Sequence, residues 1–324
     1  MTAQFEVSIA FQTDKTPAAY ETLGEVVDGY AFDVVSVYND LFFQPALGAL
    51  LHLSRRVHRA RLGPAALNPY TLHPVEIAGQ VATLDMASDG RAYLGLARGS
   101  WLDAIGLTSD RPISRLRESI EVVRYLLSRR TDGFSGALYQ VSPGPMLQYE
   151  PLRGDVPIMV GTWGPHTARM AGEVADEVKI GGSANPKMVP VMRQWLATDR
   201  VGICLGAVTV VDRDRNAARE LARREVALYL GVVAGLDPTV ADPEWLSRIQ
   251  SHAARRDYAA ISRDISDEML DRFAFAGTPD DIVRQTQELR AAGATRIEFG
   301  TPHGINPPHG IRLLGEEVLP QLHT

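Results

Sequence analysis

Cysteine is nearly absent from this chain: Cys204 is the only one in 324 residues. No intramolecular disulfide can form, which fits a reducing compartment. Its place in the apolar run Val201–Val211 marks it as a core side chain rather than a nucleophile. An excess of positive charge is missing too. The 33 Lys and Arg against 39 Asp and Glu leave a net charge of −6, and the arginine pairs at Arg55, Arg129, Arg223 and Arg255 lie scattered among acids. That excludes nucleic acid as the main partner and reads as helix faces and helix ends. No apolar run approaches the ~20 residues of a membrane span, and Met1–Ala10 has no basic leader region, so a cytoplasmic protein without a membrane partner is expected. Several motifs are also lacking. No Gly-x-Gly-x-x-Gly follows the first strand, and there is no His-Glu-x-x-His, no Gly-x-Ser-x-Gly and no metal-ligand spacing of His, Cys, Asp and Glu. No metal is expected.

What is present is a beat of strand and helix. Apolar or β-branched runs at Phe5–Phe11, Asp33–Val37, Ala60–Leu67, Arg91–Ala97, Val156–Val160, Glu177–Ile180, Val201–Val211 and Thr295–Phe299 alternate with helical patterns. Thr16-Pro17, His73-Pro74 and Thr278-Pro279 supply helix starts. Eight strands alternating with helices predict an α/β fold, a (β/α)8 TIM barrel. A doubly wound open sheet is the runner-up. A single domain over 1–324 is expected, with an irregular insertion at about 133–152 and a helical insertion after strand seven at about 212–278.

In such a barrel the chemistry belongs to the loops that follow the strands. These carry Gln12, Thr13 and Asp14; Tyr38, Asn39, Asp40 and Leu41; Asn68, Tyr70 and His73; Arg98, Gly99, Ser100, Trp101 and Asp103; Gly161-Thr162-Trp163-Gly164-Pro165-His166; Gly181-Gly182-Ser183; and Gly300–Gly304. The Gly161–Gly164 turn feeds a helix, so its backbone N–H groups and the positive helix end suit a phosphate, with Gly181-Gly182 beside it. Asp40 reads equally well as a helix N-cap. In Pro64–Pro69 two prolines make the strand irregular, and Ala65 and Ala66 would let a flat ring approach the backbone, or merely fill a tight barrel layer.

Taken together, Asn68-Pro69, His73-Pro74, Leu84-Asp85 and Arg91-Ala92-Tyr93-Leu94-Gly95-Leu96-Ala97-Arg98-Gly99 resemble the bacterial luciferase-like superfamily. The Gly161–His166 turn and the ending Ile297–Gly304 are most similar to its methylenetetrahydromethanopterin reductase branch, which uses the deazaflavin coenzyme F420. The resemblance spans nearly the whole chain. It implies a homodimer and a deazaflavin seated over strand three on a non-prolyl cis peptide, which by position is Ala65–Ala66. Asp40, Asn68, Gly99, Ser100 and Asp103 would border the ring, and Gly161, Thr162, Trp163, Gly164, His166, Gly181 and Gly182 would hold the phosphate. Asp40 and Asp103 are the expected proton-handling acids, with His303 behind them. The sequence departs from the family at three polar positions. Ser100 replaces an acid after Arg98-Gly99, Ser8–Phe11 lacks a first-strand glutamate, and Leu41 replaces a histidine. Phe11, Leu41, Phe42, Phe43, Tyr70 and Trp101 would then line a pocket for a less polar small molecule. The resemblance implies F420-dependent hydride transfer to a C=C or C=N bond. An FMN-dependent monooxygenase on the same barrel, or a binding partner that has lost its chemistry, are the alternatives.

Overall fold

The computed structural model describes residues 5–323; residues 1–4, the start of the stretch read as leaderless, and 324 lie outside it. The chain alternates β1 Glu6–Phe11, α1 Pro17–Asp28, β2 Val34–Val37, α2 Ala46–Ser54, β3 Arg61–Pro64, α3 Pro74–Ala87, β4 Leu94–Ala97 and α4 Pro112–Leu127. A small antiparallel hairpin, β5 Phe134–Ser135 and β6 Gln140–Val141, follows. Then come β7 Ile158–Gly161, α5 Pro165–Val174, β8 Glu177–Gly181, α6 Met188–Leu196 and β9 Gly202–Val211. Between β9 and the last strand lie α7 Arg215–Val233, α8 Pro243–Ala254, α9 Tyr258–Asp264, α10 Asp267–Phe273, β10 Ala274–Gly277 and α11 Pro279–Ala291. β11 Arg296–His303 and α12 Pro307–Leu313 follow, and α13 Leu319–Leu322 ends the described chain.

The strands run in the order β3-β2-β1-β11-β9-β8-β7-β4, all parallel. β3 and β4 then meet through the bridges Leu62–Ala92 and Leu67–Leu96, which bring the ends of the sheet together. This is the expected barrel. β3 spans one residue more than β4 between those two bridges. The extra residue bulges at Ala65–Ala66, whose peptide is cis. The regular strand therefore ends at Pro64 rather than Leu67. β10, inside the region read from sequence as helical, pairs with β9 beyond the point where β8 stops. Its four residues, Ala-Phe-Ala-Gly, are too short for a period to announce them.

Outward side chains such as Val7, Ile9 and Phe11 pack into the layer between sheet and helices. The barrel interior divides in two. Val34, Tyr93 and Met159, with Ala65 against them, make its apolar part. Ser8, Ser36, Lys179, Arg296 and Glu298 are buried polar or charged groups. Where β4 approaches β3 and β7, only glycine fits: a Cβ on Gly95 would stand 2.1 Å from the Pro64 carbonyl oxygen and 2.8 Å from Met159 Cε. Gly95→Ala is therefore expected to destabilise the protein by about 2 kcal/mol or more in urea denaturation. Gly48→Ala, on the exposed face of α2 with open space at its Cβ, is expected to stabilise it by roughly 0.5 kcal/mol.

Candidate active site at the carboxyl ends of the strands

Small residues end three neighbouring strands at the carboxyl-end rim of the barrel: Ala97 on β4, Gly161 on β7 and Gly181 on β8. Register places Ala97, Gly161 and Lys179 on one level, and Gly181, Gly206 and Glu298 on another, facing the barrel axis. A Cβ on Gly181 or Gly164 would meet nothing within 4 Å, so open space lies beside both turns. Ala65 and Ala66 are half-buried on the same rim.

The turn after β7 leaves the start of α5 without a side-chain cap. Gly164 is the N-cap of α5 and offers no side chain. Pro165 has no N–H to donate, and no acid occupies the first turn. The Gly164 N–H donates to Thr162 Oγ1 at 3.0 Å, leaving the His166 and Thr167 N–H groups without partners among the described residues. The turn after β8 differs from expectation. The Gly182 and Ser183 N–H groups both donate to the Gly206 carbonyl, at 2.6 and 3.1 Å. Gly181-Gly182 therefore contributes space rather than donors. Trp163 Nε1 donates to the Gly181 carbonyl at 2.8 Å and ties the two turns together. The second turn is anchored from the far side of the chain. Ala184 N–H donates to the Arg272 carbonyl, and the buried Asn185 amide donates to Asp237 and to Thr239 Oγ1, each at 2.8 Å.

The other expected site residues fall into groups. Asp40 is half-buried and accepts from Gln12 Nε2 at 2.9 Å. It is not the helix cap: Asn39 Oδ1 accepts the Ala46 N–H at the start of α2, which leaves Asp40 to face the rim. Buried Asn68 uses Oδ1 to accept the Tyr70 and Thr71 N–H groups at 3.1 and 3.0 Å. Its amide packs against Gly99, whose φ of +87° and crowded Cβ position suit glycine alone. Ser100, Trp101 and Asp103 lie on an exposed turn, and the Asp103 carboxylate has no partner among the described residues. Phe42, Phe43 and Trp101 are 81%, 48% and 54% exposed, large aromatic side chains open to solvent. Leu41 is half-buried next to them, and Tyr70 donates to the Asp110 carbonyl at 2.7 Å.

Two expectations are corrected. Phe11 is 1% exposed, on the outward face of β1, because inward and outward residues alternate and Ser8 and Ala10 take the inward places. It packs edge-on against His303 at 5.4 Å and lines no substrate pocket. His303 is itself buried, with Nε2 against the Ala10 carbonyl at 3.1 Å. Burial lowers its pKa to about 4 despite the surrounding carbonyls, so it stays neutral and structural at ordinary pH.

Sequence reasoning missed the interior charges. Lys179 pairs with Glu298, which also accepts from Ser36 Oγ and lies 3.7 Å from Arg296. Ser36 and Tyr93 share a hydrogen bond of 2.8 Å, and Arg296 donates to Glu177 at 2.9 Å and to Ser8 Oγ at 3.3 Å. Burial would raise the Glu298 carboxyl, but Lys179 and Arg296 outweigh it and hold the pKa below the usual value. Glu298 is therefore ionised at the centre of the barrel. A cavity of about 340 Å³ opens at the opposite, amino-terminal mouth; its Arg296–Glu177 and Arg61–Glu6 pairs already neutralise each other. Among the described residues no group of three or more His, Cys, Asp and Glu could hold a metal ion, and no helix is long and apolar enough to cross a membrane.

The fold is an α/β barrel with open turns at the carboxyl ends of its strands. The chain belongs to the luciferase-like monooxygenase family, whose model matches residues 3–296. It is 30% identical to the 5,10-methylenetetrahydromethanopterin reductase of Archaeoglobus fulgidus, over 97% of this chain and 98% of that one. An F420-dependent glucose-6-phosphate dehydrogenase of Microbacterium testaceum is 27% identical over 86% of this chain and 82% of its own. Among solved structures, the coenzyme F420 dependent tetrahydromethanopterin reductase from Methanopyrus kandleri superposes with a TM-score of 0.90 at 25% identity, covering 99% of this chain and 100% of that one.

Lys179→Met strands Glu298 and is expected to cost on the order of 3 kcal/mol of unfolding free energy; Lys179→Met/Glu298→Gln recovers most of it. For His303 the folded pKa lies below the unfolded one, so the unfolded chain binds the extra proton. Stability is then lost as pH falls from about 6.5 to about 4, by at most roughly 3 kcal/mol. His303→Gln, measured by urea denaturation across that window, is expected to flatten the slope.

Proposed function

We propose that this protein is an F420-dependent oxidoreductase that passes a hydride between the deazaflavin and a small, largely apolar metabolite, reducing a C=C or C=N bond. The observation that carries the reading is the pairing, on one rim, of a flat seat of small residues at Ala65–Ala66 with the uncapped, glycine-fed start of α5. The relatives named above as F420 enzymes support the choice of ring. F420 supplies the hydride chemistry when bound; the protein supplies place, order and protons.

In this reading Ala65, Ala66, Asn68 and Gly99 flank the ring. Gly161, Thr162, Trp163, Gly164 and His166 hold the phosphate, and Gly181 and Gly182 leave it room. Asp40, released from capping and oriented by Gln12, handles the proton at the rim. Asp103, exposed on its turn, is the lesser acid. Leu41, Phe42, Phe43, Tyr70 and Trp101 present an aromatic and aliphatic edge. With Ser100 and Leu41 at positions that are polar in the family, that edge favours a substrate less polar than methanopterin or a sugar phosphate. The reading takes 1–324 as one barrel domain elaborated at 133–152 and 212–278, acting as a homodimer.

Quenching of deazaflavin fluorescence by the purified protein is expected with F420, and FMN is expected to bind far more weakly; preference for FMN would overturn the ring assignment. Gly164→Asp places a capping carboxylate over the free N–H groups of α5. It is expected to leave thermal stability unchanged or slightly higher. It should weaken F420 binding about tenfold while sparing the deazaflavin riboside that lacks the phosphate.

A further inference from the structure

The polar column inside the barrel ends upward in a side chain with nothing to bind. Along β2 and just past it, Ser36 and Tyr38 face the axis by alternation. Ser36 is spent on Glu298 and Tyr93. Tyr38, one step nearer the carboxyl-end rim, is half-buried, and its hydroxyl has no hydrogen-bond partner among the described residues. Its position is nevertheless held from two sides. The Lys179 ammonium lies 5.3 Å from the centre of its ring, within cation–π range. Its hydroxyl lies 2.6 Å from where a Cβ of residue 300 would stand, so Gly300 is the gap into which the phenol projects. Burial, with the negative charges of Glu298 and Asp40 added, pushes the phenol pKa well up, so the group keeps its proton and acts only as a donor or neutral acceptor.

The half-buried hydroxyl is spent on no protein group among the described residues and keeps its hydrogen-bonding capacity free at the rim, where solvent reaches it. Phenylalanine would fill the same space. The hydroxyl points to a partner that arrives with the ligand.

We propose that Tyr38 is a ligand-binding residue whose hydroxyl donates a hydrogen bond to a carbonyl-type acceptor on the seated deazaflavin ring, with Lys179 and Gly300 fixing its place. This rests on the reading of the rim as an F420 seat. It adds to that seat a contact from just past the end of β2, two residues before Asp40.

The test is Tyr38→Phe, which keeps the ring that plugs the barrel and removes one oxygen. Titrations use F420 and, separately, the deazaflavin riboside without phosphate; binding is followed by fluorescence quenching and the bound chromophore by its absorption spectrum. The expected result is a loss of affinity of roughly three- to tenfold for both ligands alike, a shifted absorption maximum of the bound ring, and an unchanged urea midpoint. If wild type binds F420 and Tyr38→Phe binds both ligands equally well with the same spectrum, the Tyr38 assignment falls while the F420 reading stands. A loss confined to F420, sparing the riboside, places the defect at the phosphate and also overturns it. If wild type binds neither deazaflavin, both readings fall.

Discussion

Glu298 carries a negative charge in the middle of the barrel, fully shielded from water, and the surrounding structure is arranged around that charge. An isolated carboxylate in such a place would take up a proton instead. Here Lys179 reaches it from β8, Ser36 from β2 and Arg296 from two residues below on its own strand, while Arg296 also donates to Glu177 and Ser8. The neighbouring strands make room for this. Gly206 lies 3.0 Å from Lys179 Cε and 3.2 Å from Glu298 Cβ at the place its own Cβ would occupy, so that strand gives up its side chain to admit the pair. The interior is thereby fixed by directional contacts on one side and by the Val34–Tyr93–Met159 packing on the other.

That network was illegible in the sequence for a physical reason. Glu298 sits in Arg-Ile-Glu-Phe-Gly, where alternating polar and apolar residues read as an ordinary half-exposed strand. A barrel interior is also one face of a strand, and periodicity cannot tell a face turned to water from a face turned to other charges. Its partner Lys179 is 119 residues away, and only closure of the sheet brings the two together. The alternation of strands and helices, by contrast, is a local signal repeated eight times, and the barrel was legible from it. The special turns were legible too, because proline and glycine mark backbone geometry directly: Pro64–Pro69 announced the bulge at Ala65–Ala66, and Gly161–Gly164 the bare helix start. Gly181-Gly182 was misread in one respect, since sequence shows that a backbone N–H is unhindered but not that Gly206 has already claimed it.

Phe11 and His303 illustrate a second limit. Both lie at strand ends on the side of the barrel where chemistry is found, and both turn away from it. A loop position in sequence fixes which end of the barrel a residue occupies. Whether it faces the axis or the helices depends on a parity that shifts wherever a strand becomes irregular, as β11 does between Gly300 and His303.

The end of β2 concentrates polar groups on one short stretch. By comparison β1 offers Ser8, already engaged by Arg296, and the turn after β4 offers the exposed Ser100. The polar residues of Ser36–Asp40 divide the work between them. Ser36 stabilises Glu298, Asn39 caps α2, and Asp40 is left with only the Gln12 amide. With Asn39 on the Ala46 N–H, neither Asp40 oxygen is spent on α2, and one of them accepts from Gln12. Asp40 then stands half-buried just past the end of β2, next to the exposed Phe42 and Phe43 in sequence.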